Sequence, residues 1–488
     1  MEPMAALINR GVGRGVGRGV GTAATRRSRA VVSLAAAAMV AAAACAPLRA
    51  EPQRRASEFW LDNGMQVVVV PDHRAPVVTH VVWYRVGGAD NPPGQSGIAH
   101  FLEHLLFRST KKLKSGELER TVSRLGGRDN AVTSHDATYY FQRLPNEHLN
   151  TAMIMEADRM RNLNLVEAEV ETERDVVLQE RRSVVDSKPL AILDELINAN
   201  LYLNHPYRIP VLGWEHEMKK LNRAAAIAFY RRYYAPNNAI LVVAGDVTPD
   251  QVKKLAQEVY GPIKRQPGAL REARPTEPPQ RGIRRVELKD ARVNNLALQR
   301  YYMTPSYKSA EGNEAEALDT LSIILGDGPT SRLYRQLVEE KNIAANAGAS
   351  FSAVALDGGT LTLYAVAGEG VKQEALEQAL DASIAQFIKD GPSDEELEQA
   401  KNAMIASYIY SADNQAGLAQ RYGSNLVIGR TIADIEDWPN KVGQVTAADV
   451  KKVAAKYLVI ESSVTGYLIP QRPADDAASD KQPAEARR

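Results

Sequence analysis

Cysteine occurs once in the 488 residues, at Cys45, so the chain has no second thiol with which to close an internal disulfide. Neither charge sign is in excess: 60 basic residues face 59 acidic ones, for a net charge of +1. That balance removes the electrostatic case for nucleic-acid binding. Histidine is missing from the whole second half, since all eight (73, 80, 100, 104, 135, 148, 205 and 216) lie before residue 217. Any site built on imidazoles must therefore belong to the first half. Acidic residues are nearly absent from the first 50 positions, where Glu2 is the single one.

Those first positions carry Arg10, Arg14, Arg18, Arg26, Arg27 and Arg29, then an alanine-rich apolar stretch from Ala30 to about Leu48, and Leu48-Arg-Ala50 before Glu51. A basic region, an apolar core and a small-residue site in that order describe a secretory signal over residues 1–50. The expected location is the periplasm. An uncleaved membrane anchor is the alternative, because the apolar stretch approaches spanning length. Lipidation at Cys45 is a further option, but Ala42-Ala-Ala44 lacks the larger apolar residue usual before such a site. Arg26-Arg27 hints weakly at twin-arginine export. The repeat Gly11-Val-Gly-Arg-Gly-Val-Gly-Arg-Gly-Val-Gly21 is low complexity with no core-forming pattern, and equally reads as an over-long translation start.

Beyond Glu51 the length predicts two to four domains with ample core. β-Branched content and alternation predict strands over Phe59–Val70, Val77–Val86 and Thr133–Arg143, with a helix over about Leu118–Leu125. The pattern then repeats: strands over Arg284–Leu288 and Asn294–Met303 precede a helix over Glu311–Ile324. The chain is thus expected to be a duplication, with residues 51–265 and 283–469 as its halves. Residues 266–282, with Pro267, Pro275, Pro278 and Pro279, read as a linker. The polar stretch 470–488 reads as a disordered tail.

The chemistry concentrates in Gly97-Ile-Ala-His-Phe-Leu-Glu-His-Leu-Leu-Phe107. On a helix, His100 and His104 stack at i and i+4 and offer two imidazoles to one metal ion, with Glu103 beside them. Ile98, Phe101, Leu102, Leu105 and Leu106 take the other side, as in a helix between a core and a cleft. A solvated edge, or one core histidine with a charged neighbour, would give the same letters. A second segment, Val170-Glu-Thr-Glu-Arg-Asp-Val-Val-Leu-Gln-Glu-Arg-Arg182, reads as a helix on which Glu173 and Glu180 lie two turns apart on one face. Two histidines on zinc want an anionic third ligand and an open position. Glu180 suits that role, with Glu173 just outside it; a plain charged helix face is the competing reading.

These motifs resemble the pitrilysin/insulinase family of zinc metallopeptidases, which shares the inverted H-x-x-E-H order. The family's glutamate ligand ends an E-R-x-V-V-x-x-E helix, matched here by Glu173-Arg-Asp-Val-Val-Leu-Gln-Glu180. Gly126-Gly-Arg-Asp-Asn-Ala-Val-Thr-Ser-His-Asp-Ala-Thr-Tyr139, His205-Pro-Tyr207 leading to Gly213, and Gly326-Asp-Gly-Pro-Thr-Ser-Arg-Leu-Tyr-Arg335 match as well. The resemblance spans about residues 57–468. It implies an α+β fold of two homologous halves, each an antiparallel sheet covered by helices, enclosing a cleft. It implies one Zn²⁺ per chain, held by His100, His104 and Glu180. Glu103 would be general base and then general acid, and Glu173 would tune the site. Asn130, Ala131 and Thr133 would lie on a strand edge to which an extended peptide substrate adds.

One departure stands against these matches. Active members carry an arginine and a tyrosine seven residues apart in the second half, where this chain has Val338 and Ala345. Neither side chain donates a hydrogen bond to a developing oxyanion, a contribution of about 3–4 kcal/mol. Arg332, Tyr334 and Arg335 are nearby at the wrong spacing. The resemblance then implies the zinc-bearing subunit of a heterodimer, with a homologous partner supplying the missing pair. A non-catalytic peptide-binding or assembly subunit that retains zinc is the alternative.

Overall fold

The computed structural model describes residues 55–471, so the signal reading and nearly all of the tail lie outside the described residues. Eleven strands within that range form two sheets. The first holds β1 (Ser57–Trp60), β2 (Gln66–Pro71), β3 (Val77–Tyr84), β4 (Arg128–Thr133), β5 (Thr138–Pro145) and β6 (Ala239–Gly245), in the order β1-β2-β6-β3-β5-β4. The second holds β7 (Arg284–Asp290), β8 (Ala297–Pro305), β9 (Ala344–Ser352), β10 (Gly358–Ala367) and β11 (Ser463–Pro470), in the order β7-β11-β8-β10-β9. The common order makes the duplication explicit. Pairing is antiparallel except at β2–β6 and β7–β11, which run parallel. In each half the last strand returns beside an early one, and the helices lie on the connection between them.

Those helices are α1 (Ile98–Leu105), α2 (Glu117–Arg124), α3 (Leu149–Asn162), α4 (Glu167–Arg181), α5 (Pro189–Leu201) and α6 (Arg223–Tyr233) in the first half. In the second, α7 (Glu314–Gly326), α8 (Asp394–Ser411), α9 (Gln415–Val427) and α10 (Ala447–Tyr457) repeat the scheme. α1 packs on α4 and α6, and α7 packs on α8 and α10.

Two expected strands are each broken by a turn. Asp62-Asn63-Gly64 separates β1 from β2, with the Leu61 N–H donating to the Met65 carbonyl at 2.9 Å. Ser134–Ala137 separates β4 from β5, the Ser134 hydroxyl oxygen accepting from the Ala137 N–H at 3.0 Å. Asn-Gly and Ser-x-x-Ala are turn formers, and both were hidden by the β-branched residues on either side.

The period-2 alternation of the first sheet is apolar on both faces. Val67, Val69, Val82, Leu241 and Val243 point into the core beneath α1, α3 and α6. Val68, Val70, Val81, Trp83, Ile240 and Val242 point the other way, against Leu418, Tyr422 and Leu426 of α9 from the second half. The second sheet is treated in kind, with Leu193 and Ile197 of α5 lying on Ala297, Val464 and Leu468. Each half therefore lends one helix to cover the other's sheet. The approach of α9 is so close that a Cβ on Gly423 would fall 1.9 Å from the Trp83 Nε1 atom. A Gly423→Ala variant is expected to lose about 1–3 kcal/mol of stability through this overlap, read from its urea-unfolding midpoint.

Residues 266–282 form no helix or strand but are firmly held. Ala269 is fully buried, and Glu277 accepts from the N–H groups of Leu203, Asn204 and His205 at 2.6–2.9 Å. Arg274 donates to Asp90 (3.0 Å) and Asp136 (2.5 Å) of the first half and to Asp357 (2.8 Å) of the second. The segment is a strap across the seam, not a loose tether.

Candidate metal centre

α1 begins at a tight crossing of two loops. Gly97 takes φ +84°, and a side chain on it would meet the Leu212 carbonyl oxygen at 2.4 Å. Opposite, Gly213 at φ +87° would strike the Ser96 carbonyl oxygen at 2.5 Å. Only glycine tolerates both the left-handed backbone and the contact. Arg181 of α4 donates to the Gly213 carbonyl at 2.9 Å, which ties α4 to the start of α1.

From that start α1 divides as its spacing predicts. Ile98, Phe101, Leu102 and Leu105 are fully buried in the first-half core. His100, Glu103 and His104 face α4, which brings Glu173 and Glu180 to them. His104 Nε2 lies 3.1 Å from Glu180 Oε2, and His100 Nε2 lies 3.6 Å from the same oxygen. One ligand atom from each of His100, His104 and Glu180 falls within 4.8 Å of the others, the one such group among the described residues. On its other side the His104 ring donates from Nδ1 to Glu173 Oε1 at 2.9 Å. Arg108 Nη2 forms an ion pair with the second Glu173 oxygen at 2.7 Å. A carboxylate behind a histidine fixes its tautomer and leaves Nε2 free to coordinate.

Glu103 is 2% exposed and outside the ligand group. The Thr133 hydroxyl at the end of β4 donates to Glu103 Oε2 at 2.5 Å, leaving the other oxygen uncommitted. Burial raises the Glu103 carboxyl to about 7, against the lowering effects of the Thr133 hydroxyl and His104. Burial also brings His100 down to about 4. His104 moves the other way, to about 9: burial lowers it, and the pairing with the Glu173 and Glu180 carboxylates outweighs that. Both glutamates are held below the ordinary carboxylate range despite burial, Glu173 by His104 and Arg108, and Glu180 by the two histidines.

The remaining expected residues fall on β4, an edge strand that pairs only with β5. Asn130 is exposed, its side-chain oxygen accepting from the Ala131 N–H at 2.9 Å, and the Ala131 side chain points into the core. Thr133 has its hydroxyl engaged by Glu103, so what it offers at the edge is backbone. Sequence reasoning missed that contact and missed Arg108. The second had a local signal, since Arg108 is one helical turn past His104. In the second half Val338 is partly buried against the core and Ala345 is exposed. Arg332 and Arg335 both pair with Glu396, so neither is free to stand in for the absent arginine.

The donor set suits a divalent ion. His104 Nε2, Glu180 Oε2 and His100 Nδ1 are buried with no aligned hydrogen-bond partner, a costly condition that coordination of Nε2 and Oε2 would relieve. Two imidazoles and one carboxylate, backed by Glu173, is a donor set of the catalytic zinc type.

Known proteins resemble this chain over most of its length. The family model Insulinase (Peptidase family M16) matches residues 66–214, and the model Peptidase M16 inactive domain matches residues 220–404. Zinc protease PqqE from Helicobacter pylori is 32% identical over 415 residues, covering 84% of this chain and 92% of that protein. The chain belongs to the M16 peptidase family. A second relative, the uncharacterized zinc protease YmxG of Bacillus subtilis, is 26% identical over 68% of this chain and 78% of its own length. The crystal structure of a protease from Helicobacter pylori superposes with a TM-score of 0.79 at 31% identity, covering 86% of this chain and all of that one. The periplasmic protease PqqL from Escherichia coli shares the fold, with a TM-score of 0.74 at 19% identity over 88% of this chain and 49% of PqqL. The second M16 model, described as inactive, falls mostly on the half without histidine. No helix among the described residues is long and apolar enough to cross a membrane.

Proposed function

We propose that this M16 chain is a zinc-dependent endopeptidase for extended or unstructured peptides and the metal-bearing subunit of a heterodimer. The observation that carries the proposal is the meeting of His100, His104 and Glu180 within 4.8 Å, with Glu103 beside them and outside the group. His100, His104 and Glu180 would hold a zinc ion, which when bound would supply a Lewis acid for a peptide carbonyl and a more acidic water. Glu103 takes the proton from the attacking water and delivers it to the leaving amine, working through the oxygen that Thr133 leaves free. Glu173 holds the His104 ring in its tautomer and orientation.

The peptide adds as a further strand along Asn130–Thr133, using the backbone groups that β4 leaves unpaired at the sheet edge. Main-chain pairing of this kind favours flexible, extended substrates over a particular sequence. The heterodimer reading is supported by Val338 and Ala345, neither of whose side chains can donate a hydrogen bond to an oxyanion. Residues 1–50 act as an export signal, which puts the enzyme in the periplasm.

The purified chain is expected to bind one zinc and to cut an unstructured peptide slowly. Adding a homologous subunit that carries the arginine and tyrosine is expected to raise the rate about 10²–10³-fold, the worth of one oxyanion donor. Metal content by plasma emission and a fluorogenic peptide assay read both quantities. A full rate unaltered by any partner rejects the heterodimer, and one zinc with no cleavage in either setting supports the non-catalytic alternative.

A further inference from the structure

His205-Pro-Tyr207 opens a loop that runs to Gly213 and contributes no side chain to the metal centre. The loop starts on a single 3₁₀ turn, Pro206–Arg208, with His205 Nδ1 accepting from the Tyr207 N–H at 3.2 Å. With Nδ1 an acceptor, Nε2 carries the proton and donates to Asp357 Oδ2 of the second half at 3.1 Å. These bonds fix the buried Tyr207 ring, whose centroid lies 4.3 Å from that of His205 and 5.1 Å from that of His135. The Tyr207 hydroxyl donates to Asp136 Oδ2 at 2.6 Å.

The two ends of this loop reach different parts of the metal centre. Near its start, Tyr207 grips Asp136, and the Ile209 carbonyl accepts from His135 Nε2 at 3.0 Å. Both partners belong to the turn that directly follows Thr133, whose hydroxyl engages Glu103. At its end, Gly213 crosses Gly97 where α1 begins, and the next N–H, of Trp214, donates to Ser96 Oγ at 2.9 Å. One loop therefore joins the helix that carries Glu103 to the strand that carries Thr133. The Tyr207 hydroxyl is not needed to answer the Asp136 charge, since Arg274 (2.5 Å) and the Leu356 N–H (2.9 Å) already do so. What it adds is a second, fixed direction, from the loop bound to α1.

We infer that Tyr207 is a positioning residue for the general base, acting through Asp136 and the Ser134–Ala137 turn to hold Thr133 against Glu103. The inference rests on the peptidase reading. Loss of the hydroxyl lets the turn shift by a fraction of an ångström and misaligns Glu103, which costs rate. Peptide affinity is spared, because β4 keeps its pairing with β5 and its free edge. Zinc affinity is spared as well, because the ligands lie on α1 and α4.

Steady-state kinetics of the zinc-loaded Tyr207→Phe protein test it. kcat is expected to fall about 10–100-fold with KM and zinc content unchanged. Tyr202→Phe, whose ring lies 5.8 Å from that of Tyr207 but whose hydroxyl meets Thr360, is expected to keep the wild-type kcat. On a Thr133→Ala background, Tyr207→Phe is expected to lower kcat no further, since the group it positions is gone. In the metal-free protein, amide hydrogen exchange over residues 133–137 is expected to quicken in Tyr207→Phe and not in Tyr202→Phe. A wild-type kcat in Tyr207→Phe, its full loss repeated on the Thr133→Ala background, or unchanged exchange overturns the inference and leaves the peptidase reading standing. A wild-type chain that cuts no peptide, with or without a partner, overturns the peptidase reading and the general-base role together, while the exchange result still tells whether Tyr207 holds the turn.

Discussion

A Glu103→Gln protein is expected to hold its zinc and to hydrolyse peptide about 10²–10⁴-fold more slowly than wild type, the usual worth of a general base. Glu103 does not belong to the group of three that would take the metal, so its neutral isostere leaves His100, His104 and Glu180 in place. The amide of the variant still offers an oxygen to the Thr133 hydroxyl, so the local geometry survives. What is lost is the capacity to accept a proton. Metal content and steady-state rate, measured on one preparation, separate the two effects. Wild-type hydrolysis with intact zinc would remove Glu103 from the mechanism.

An Arg274→Ala protein is expected to lose about 3–5 kcal/mol of stability, the cost of leaving the buried Asp136 without its cation, while Asp90 keeps Arg271 at 3.1 Å. The Arg274 side chain is 6% exposed and its partners Asp90 and Asp136 are 3% and 9% exposed, so solvent screens these pairs little. Burial alone would lower the Arg274 guanidinium; Asp90 and Asp136 keep it well above its ordinary range. The third partner, Asp357, is 37% exposed, and Asp357→Asn is expected to cost at most about 1 kcal/mol. Asp136 is held below the ordinary carboxylate range, with burial opposed by Arg274 and the Tyr207 hydroxyl. A depressed carboxyl stabilises the fold above its unfolded value of 3.8 and loses that contribution as pH falls through the folded one. The network should therefore hold at neutral pH and weaken in acid. Urea unfolding followed by tryptophan fluorescence at pH 7 and pH 2 reads both effects.

What the sequence disclosed was what local spacing encodes. His100 and His104 are one turn apart, Glu173 and Glu180 two turns apart, and helix geometry alone puts each pair on one face. The strands showed through β-branched alternation, although the Asp62-Asn63-Gly64 turn was read through. Partners distant in sequence stayed hidden. Nothing near Trp83 announces that Gly423 will cover it, and nothing near Arg274 announces Asp90, Asp136 and Asp357. What holds the proline-rich linker was not legible, because the Arg274 anchors lie some 80 to 180 residues away. Thr133 illustrates the same limit within the site: a β4 side chain reaches α1 only once the sheet has formed.

The exchange of α5 and α9 between sheets carries a consequence for how the molecule is made. During synthesis the amino-terminal lobe emerges with the outer face of its valine-rich strands bare, and stays so until residue 427 has left the ribosome. Severing the polypeptide between lobes would yield two sticky fragments, neither stable by itself. Hinge-like opening of the lobes would have to peel α5 and α9 from the sheets they cover.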